Sequence, residues 1–315
     1  MNWIKKGLVT AANSNISWMR GGAGPGYGRF LNSEILEVYM AGRDDHNRTR
    51  IGRLYFNVTS GEIERIDPEP IVELGGLGLF DYNGTSYPWL VEDEGGIKLY
   101  YTGWTRGYHV SFINDVGLAI QKSDGTFEKT TRAALLPRTN DEPYGIGSVC
   151  VLKDRHDWKM WYTCFADWES GDSNPKHYYH IKYAQSLDGL HWERPNIVAI
   201  DFDKEKGEYV TGKPAVIKYK NHYIMWYSYR GASYKIGLAV SKNGIQWQRF
   251  DDACGIWASN DGWDSEMVCY GHVMEHGAGF YMLYNGNGYG TKGIGLAYLE
   301  KSELDIFLNQ ISFSE

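Results

Sequence analysis

Two carboxylates stand at matching places in two similar stretches of the chain. Asp81 opens Asp81-Tyr82-Asn83-Gly84-Thr85-Ser86-Tyr87 ahead of Pro88-Trp89-Leu90-Val91, and Glu142 opens Glu142-Pro143-Tyr144-Gly145-Ile146-Gly147-Ser148 ahead of Val149-Cys150-Val151-Leu152. Each acid therefore precedes an apolar, strand-like run by the same distance, across a lead-in rich in Gly and Pro. The same count back gives Trp18, Gly207 beside Glu208, and Asp264 near Glu266 in three further stretches. Carboxylates crowded together raise one another's pKa, so that one stays protonated as a general acid while another stays ionised as base or nucleophile. Acid/base work at a glycosidic bond needs that arrangement. The plainer reading is that such acids cap turns or pair with Arg. Glu208, which follows the charged run Asp201 to Lys206, is expected at the surface.

Cations fall near the same strand ends: Arg20, Arg43, Lys213 and Arg230. Several of them around one opening suit an anionic group on a ligand, a carboxylate or a phosphate. Asp44 or Asp45 with Arg48 reads more simply as a local ion pair. Trp104, Trp168, Tyr144, Tyr229 and Tyr289 lie in loops or at strand ends, where a ring face can stack on a sugar. Asn285, which opens Asn285-Gly286-Asn287-Gly288-Tyr289-Gly290, is a further polar contact for substrate; that Gly-rich stretch opens no helix and is no dinucleotide loop. The histidines show no short paired spacing, which argues against zinc, and a lone channel His beside a hydrated calcium is the one metal arrangement left open. No other cofactor is expected. Cys150, Cys164, Cys254 and Cys269 have no CxxC spacing and read as buried, reduced thiols.

The elements that must position these residues are strands. In 315 residues, 15% are aromatic and 38 are Gly, which suits many short strands and tight turns. A net charge of -7 argues against a nucleic-acid partner. The absence of a signal-like or membrane-length apolar run gives the expectation of a cytoplasmic chain without membrane insertion. A strand of the form aromatic-Tyr-small recurs as Val38-Tyr39-Met40, Tyr100-Tyr101-Thr102, Trp161-Tyr162-Thr163, Trp226-Tyr227-Ser228 and Leu283-Tyr284-Asn285, about sixty residues apart. A second strand follows each copy, and Asp124-Gly125, Asp188-Gly189 and Asn243-Gly244 then mark hairpins that a further strand should follow. With the apolar strand ahead of each copy, every repeat makes four antiparallel strands. The expectation is an all-β chain, a five-bladed β-propeller in one domain over 1–315, with Trp3 to Ala11 and Leu304 to Ser314 as closing strands.

The blade pattern, Tyr100-Tyr101-Thr102-Gly103-Trp104 and the Ser-x-Asp-Gly-x-x-Trp turns resemble the five-bladed propeller glycosidases: arabinanases and β-xylosidases, invertase-like enzymes and mannoside phosphorylases. The pattern looks most like the glycosidase-like proteins of bacterial surface-polysaccharide gene clusters. The resemblance spans essentially the whole chain and implies three acids from the first three blades. By position Glu142 matches the general acid and Asp81 the pKa modulator, whereas Trp18 stands where the first-blade acid belongs. Glu266 or Asp264 from blade five, or less directly Asp44, would replace it. The implied activity is on a glycosidic or activated-sugar bond in polysaccharide metabolism, with Glu142 as acid, Asp81 as stabiliser and Glu266 as base or nucleophile. The substrate would be a carbohydrate or nucleotide sugar. Two alternatives stand beside it: a phosphorylase or transferase with Arg20, Arg43 and Arg230 holding an anion, and a sugar-binding propeller without catalysis.

Overall fold

A computed structural model describes residues 1–154, 157–170 and 175–313. After β1 (Ile4–Thr10), the strands come in fours. The first unit is β2 (Gly22–Phe30), β3 (Ile35–Arg43), β4 (Thr49–Asn57) and β5 (Glu62–Ile66). The second is β6 (Gly84–Asp93), β7 (Gly96–Thr105), β8 (Ile113–Gln121) and β9 (Phe127–Lys129). The third is β10 (Ile146–Asp154), β11 (Asp157–Glu169), β12 (Lys176–Ser186) and β13 (Glu193–Ile200). The fourth is β14 (Val210–Tyr219), β15 (His222–Arg230), β16 (Tyr234–Ser241) and β17 (Gln248–Arg249). The fifth is β18 (Cys269–His276), β19 (Gly279–Asn285) and β20 (Ile294–Glu300), completed by β1. Pairing is antiparallel inside every unit. Single parallel bridges, Thr49 to Gly84 and Tyr179 to Val210, join the first unit to the second and the third to the fourth. The first strands β2, β6, β10, β14 and β18 touch in cyclic order, β18 meeting β2.

The hydrophobic core lies between successive units. One cluster joins Tyr39 and Ile51 to Leu90, Leu99 and Tyr101, another joins Leu36 and Leu54 to Leu283 and Leu296, and a third joins Trp226 and Leu238 to Phe280 and Met282. Between the third and fourth units the Asn-Gly turn is a docking point, because its Gly244 carbonyl accepts the indole N–H of Trp161 at 2.8 Å. The Gly189 carbonyl likewise accepts the Tyr100 hydroxyl at 2.7 Å, from the second unit to the third. Strands follow the three hairpin turns as the Asp-Gly and Asn-Gly signals predict. In unit one, Trp18 lies flat on Gly42 and Gly52, where any Cβ would collide with its ring, and its indole donates to the Asp67 carbonyl at 3.1 Å. Trp18 is thus a packing residue, and Trp263 sits the same way on Gly286 and Gly295 in unit five.

The two chain ends differ from one another. β1 is a closing strand, as expected. The stretch from Leu304 forms a helix instead, α1 (Lys301–Gln310). Leu304, Phe307 and Leu308 recur at helical spacing, and the first two are buried against unit five and Phe250. A strand would have turned alternate residues of that set to solvent. No helix is long and apolar enough to cross a membrane among the described residues. All four cysteines are buried and free.

Candidate functional site

Six places beyond each of Trp18, Asp81, Glu142, Gly207 and Asp264 stand Gly24, Tyr87, Ser148, Lys213 and Tyr270. Every first strand has a register shift there: Ala23/Gly26, Ser86/Trp89, Gly147/Val149, Gly212/Ala215 and Cys269/His272. A bulge turns one side chain out of the alternation and re-aims it. Tyr87, Ser148, Lys213 and Tyr270 take φ of 50, 37, 49 and 58°, a left-handed conformation that bulky residues rarely adopt. The neighbouring unit holds three of these bulges. The backbone N–H of Ser148 donates to Thr102 Oγ1 at 2.7 Å, that of Lys213 to Thr163 Oγ1 at 3.0 Å, and that of Tyr270 to Ser228 Oγ at 2.7 Å. The third residue of the aromatic-Tyr-small repeat is therefore a clamp on the next unit. In unit one the Ala41 carbonyl lies 2.8 Å from where a Cβ on Gly24 would be, so no side chain fits.

The bulge residues line a central funnel of about 760 Å³, the size of a small-molecule site. Its charged residues are Arg43, Arg106, Lys213 and Arg230, joined by His177. Hydroxyls come from Thr49, Ser86, Ser148, Thr163 and Ser228, and phenols from Tyr87, Tyr179, Tyr234, Tyr270 and Tyr289. No carboxylate is among the described lining residues. Burial lowers the Arg43 guanidinium, and the like charge of Arg106 adds to the effect. Burial, reinforced by Arg230 nearby, lowers His177 to about 4, so the ring is neutral at pH 7, and burial pushes the Tyr87 phenol up to about 12. The Tyr234 and Tyr270 phenols are raised well above their ordinary value by the same cause. Arg230 lies over the rings of Tyr209, Tyr234 and Tyr289, and its Nε has no hydrogen-bond partner among the described residues. Trp104 donates to Thr49 Oγ1 at 2.7 Å and carries Arg43 over its ring.

Below the bulges the channel is plugged. Tyr27 packs on Trp89 and His272, with centroids 5.4 and 4.2 Å away, and donates to the Leu90 carbonyl. His272, kept neutral at about 3 by burial and then by Lys213, bonds the Gly28 carbonyl through Nε2 at 3.1 Å. It is the channel histidine, and no group of three His, Cys, Asp or Glu comes together among the described residues.

The predicted catalytic acids are elsewhere. Asp81, 1% exposed, accepts the Tyr101 hydroxyl at 2.9 Å and Lys129 Nζ at 2.5 Å, and lines a small outer cleft with Lys129 and Arg132. Glu142, 2% exposed, accepts Tyr162 at 2.6 Å, Lys182 at 3.2 Å and Arg194 at 2.5 Å. Asp264 is bound by Tyr284, Lys5 and Ser259; burial alone would raise it, but these partners hold its carboxyl below the ordinary range. Acid, cation and the Tyr of the second strand form one motif, repeated in unit four by Asp251, Arg249 and Tyr227. Glu208 is buried as well, in a two-pronged pair with Arg249, and not at the surface. The shared register thus aims these acids back into their own units, away from the funnel. Glu266 is exposed on the turn before β18 and its backbone N–H, not its carboxylate, is engaged, by Asn287.

Of the expected binding residues, Arg43, Trp104, Lys213 and Arg230 line the funnel. Arg20 and Asp44 line a separate cleft of about 350 Å³, where Arg20 pairs with Asp45, and Asp44 with Arg48 and Arg50. Burial opposes ionisation of Asp44, but the Arg48 N–H, the Arg50 guanidinium and the His46 N–H outweigh it and hold the carboxyl at about 2. Trp168 stacks on Phe165, behind the lining, and Tyr144 is an exposed ring outside it. Asn285 bridges the carbonyls of Ala23 and Tyr289 and locks unit five to unit one. Arg106, His177, Tyr87, Tyr179, Tyr234 and Tyr270 were missed. For Tyr87 and Tyr270 a signal was present, since they share the register position of Lys213.

This architecture is a propeller-type fold shared with carbohydrate-active enzymes. A glycosyl hydrolase from Bacteroides ovatus superposes with a TM-score of 0.73 at 14% identity, over 96% of this chain and 94% of that one. A structure from the GH130 family of mannoside phosphorylases, which contains glycoside hydrolases, gives 0.70 at 14%, over 96% and 94%. The catalytic domain of a Coprinopsis cinerea GH62 α-L-arabinofuranosidase gives 0.64 at 11%, over 95% and 96%. No protein-family model matches the chain. It is 34% identical over 301 residues to the uncharacterized proteins MT1551 and Rv1502 of Mycobacterium tuberculosis, covering 95% of this chain and 100% of each relative. The chain belongs to the family of these two mycobacterial proteins.

Proposed function

We propose that this chain is a glycosidase-like, carbohydrate-active enzyme, one five-bladed propeller domain whose funnel takes an anionic sugar-bearing substrate and transfers a glycosyl group to or from an anion. The observation that carries this reading is the lining, four cations among hydroxyls and phenols with no carboxylate among the described residues. Hydrolysis by a carboxylate pair needs one group to protonate the leaving oxygen and another to activate water or attack carbon. Asp81 and Glu142 are spent on ion pairs outside the funnel. An anionic acceptor such as phosphate arrives ionised, needs no general base, and has its charge offset by guanidinium groups. Arg43 and Arg106 stand near one another at the funnel wall and suit that acceptor. Phenols kept protonated by burial can donate hydrogen bonds to a leaving oxygen, while the proton it needs comes from hydrogen phosphate as the phosphate oxygen bonds the anomeric carbon and the glycosidic bond breaks.

The test is turnover of a panel of aryl glycosides with and without inorganic phosphate. We expect turnover only with phosphate, and a fall of at least about tenfold in kcat/KM for Arg43→Ala and Arg106→Ala, equivalent to about 1.4 kcal/mol of transition-state stabilisation. Phosphate-independent hydrolysis, abolished by Glu142→Gln in a folded protein, would overturn the reading. A second reading, sugar binding without catalysis, is favoured by the complete pairing of Asp81 and Glu142; under it acidic sugars bind and remain intact.

A further inference from the structure

Lys213 is the deepest charge in the funnel, 2% exposed against half-buried Arg43 and Arg230 and exposed Arg106. Among the described residues its Nζ has no hydrogen-bond partner. It lies 5.4 Å over the Trp89 ring, on the plug that closes the channel. The groups facing it give no counter-charge: Trp89 on β6, Cys150 on β10, whose thiol burial keeps protonated, and His272 on β18, which burial keeps neutral. A buried ammonium without a counter-ion is costly, and a cation–π contact offsets only part of that. A lysine with φ of 49° adds backbone strain at the same place. Both costs are borne where the side chain must stand in the cavity.

Among the described residues His272 Nδ1 is also without a partner at this depth, but with Nε2–H given to the Gly28 carbonyl it is an acceptor and offers nothing to an anion. The backbone N–H groups of Ser148, Lys213 and Tyr270 are bonded to neighbouring hydroxyls, and Ser148 Oγ bonds Thr163 Oγ1 at 2.5 Å. The floor therefore offers one ammonium, enough for one singly charged group and too little for the oxygens of a phosphate. We infer that the funnel takes a sugar acid, entering carboxylate first, with the carboxylate seated on the ammonium of Lys213 and the arginines left for a second anion above it. This rests on the reading of the funnel as an anionic-carbohydrate site and names the acid within that class.

The probes are the methyl glycosides of glucuronic, galacturonic and mannuronic acid, their methyl esters, and glucose 1-phosphate. Binding is followed by calorimetry and by the rate of Lys213 acetylation read in its peptide by mass spectrometry. Burial lowers the Lys213 ammonium to about 8, so a carboxylate that needs the protonated form binds equally well below that pH and loses up to about tenfold in affinity per pH unit above it. We expect at least one uronide to bind with that profile and to protect Lys213, its ester to do neither, and Lys213→Met to lose at least about tenfold in affinity. Lys213→Met removes an unpaired charge and should unfold at a midpoint no lower than that of the unaltered protein, which separates lost binding from lost fold. If uronides bind Lys213→Met as well as the unaltered protein, or if only glucose 1-phosphate binds, the carboxylate seat is wrong while the funnel reading stands. If no anionic sugar binds, both are wrong.

Discussion

Glu142 accepts from Tyr162, Lys182 and Arg194 at once, in a setting with almost no solvent. Asp81 and Asp264 repeat the pattern with Lys129 and Lys5. Removing one partner of a buried ion pair leaves the others uncompensated, which costs several kcal/mol. Glu142→Gln should therefore lower unfolding stability by about 3 kcal/mol in urea titrations. Its affinity for funnel ligands should be unchanged, and a specific loss of turnover with unaltered stability would return Glu142 to a catalytic role. The register linking these acids was legible in the sequence. Its direction was not, because the cations that claim them sit far along the chain, 48 residues on from Asp81, 52 on from Glu142 for Arg194, and on β1 for Asp264. Pairing that far along the chain leaves no local pattern, so a structural triad and a catalytic acid look alike. Lys213, by contrast, stands beside Pro214 at a register position that lines the funnel in every unit.

At the scale of elements, the bulges and α1 show two ways in which strand periodicity is broken. A bulge adds one residue to a strand, and in sequence it is only an alternation that slips at Tyr87, Ser148, Lys213 and Tyr270. One extra residue leaves the aromatic-Tyr and Asp-Gly signals in place, which is why the four-strand repeats are legible in the sequence and the ring of bulge residues is not. The helix could have been found, since Leu304, Phe307 and Leu308 already lie at i, i+3 and i+4. Phe307 meets Phe250 edge-on at 5.5 Å, and Asp305 bonds Tyr219 at 3.1 Å, so α1 staples unit four to unit five. Phe307→Ala should cost about 3 kcal/mol in the same denaturation assay. Ile306→Ala, on the exposed face, should stay within about 0.5 kcal/mol. Equal effects would mean that the helix is held by its length and not by its buried face.

At the scale of the whole molecule, a net charge of -7 surrounds a funnel whose charged lining is cationic, so the field that draws an anion in is local to the opening. Holding those cations close together depends on keeping the ring of units shut. The lock is the N-terminal segment. β1 supplies the outer strand of unit five, pairing Ile4 with Tyr298 through Thr10 with Ile294. Trp3 inserts against Trp226 of unit four at 5.8 Å, and Lys5 completes the Asp264 pair. One short stretch thus ties the fourth and fifth units to the start of the first, through contacts that span nearly the whole chain. Such contacts form against a large loss of chain entropy and reward it only when the ring shuts. Deleting residues 1–10 should therefore do more than remove one strand: the edge of β20 is bared, and units one and five are left joined by Asn285 and their shared core. We expect the protein with residues 1–10 to melt in one sharp thermal transition, the shortened protein to lose that sharpness, and a synthetic peptide of residues 1–11 to restore it in proportion to occupancy. A shortened protein that melts as sharply and at the same temperature as the full chain would mean that the interfaces between units, and not the N-terminal strand, keep the ring closed.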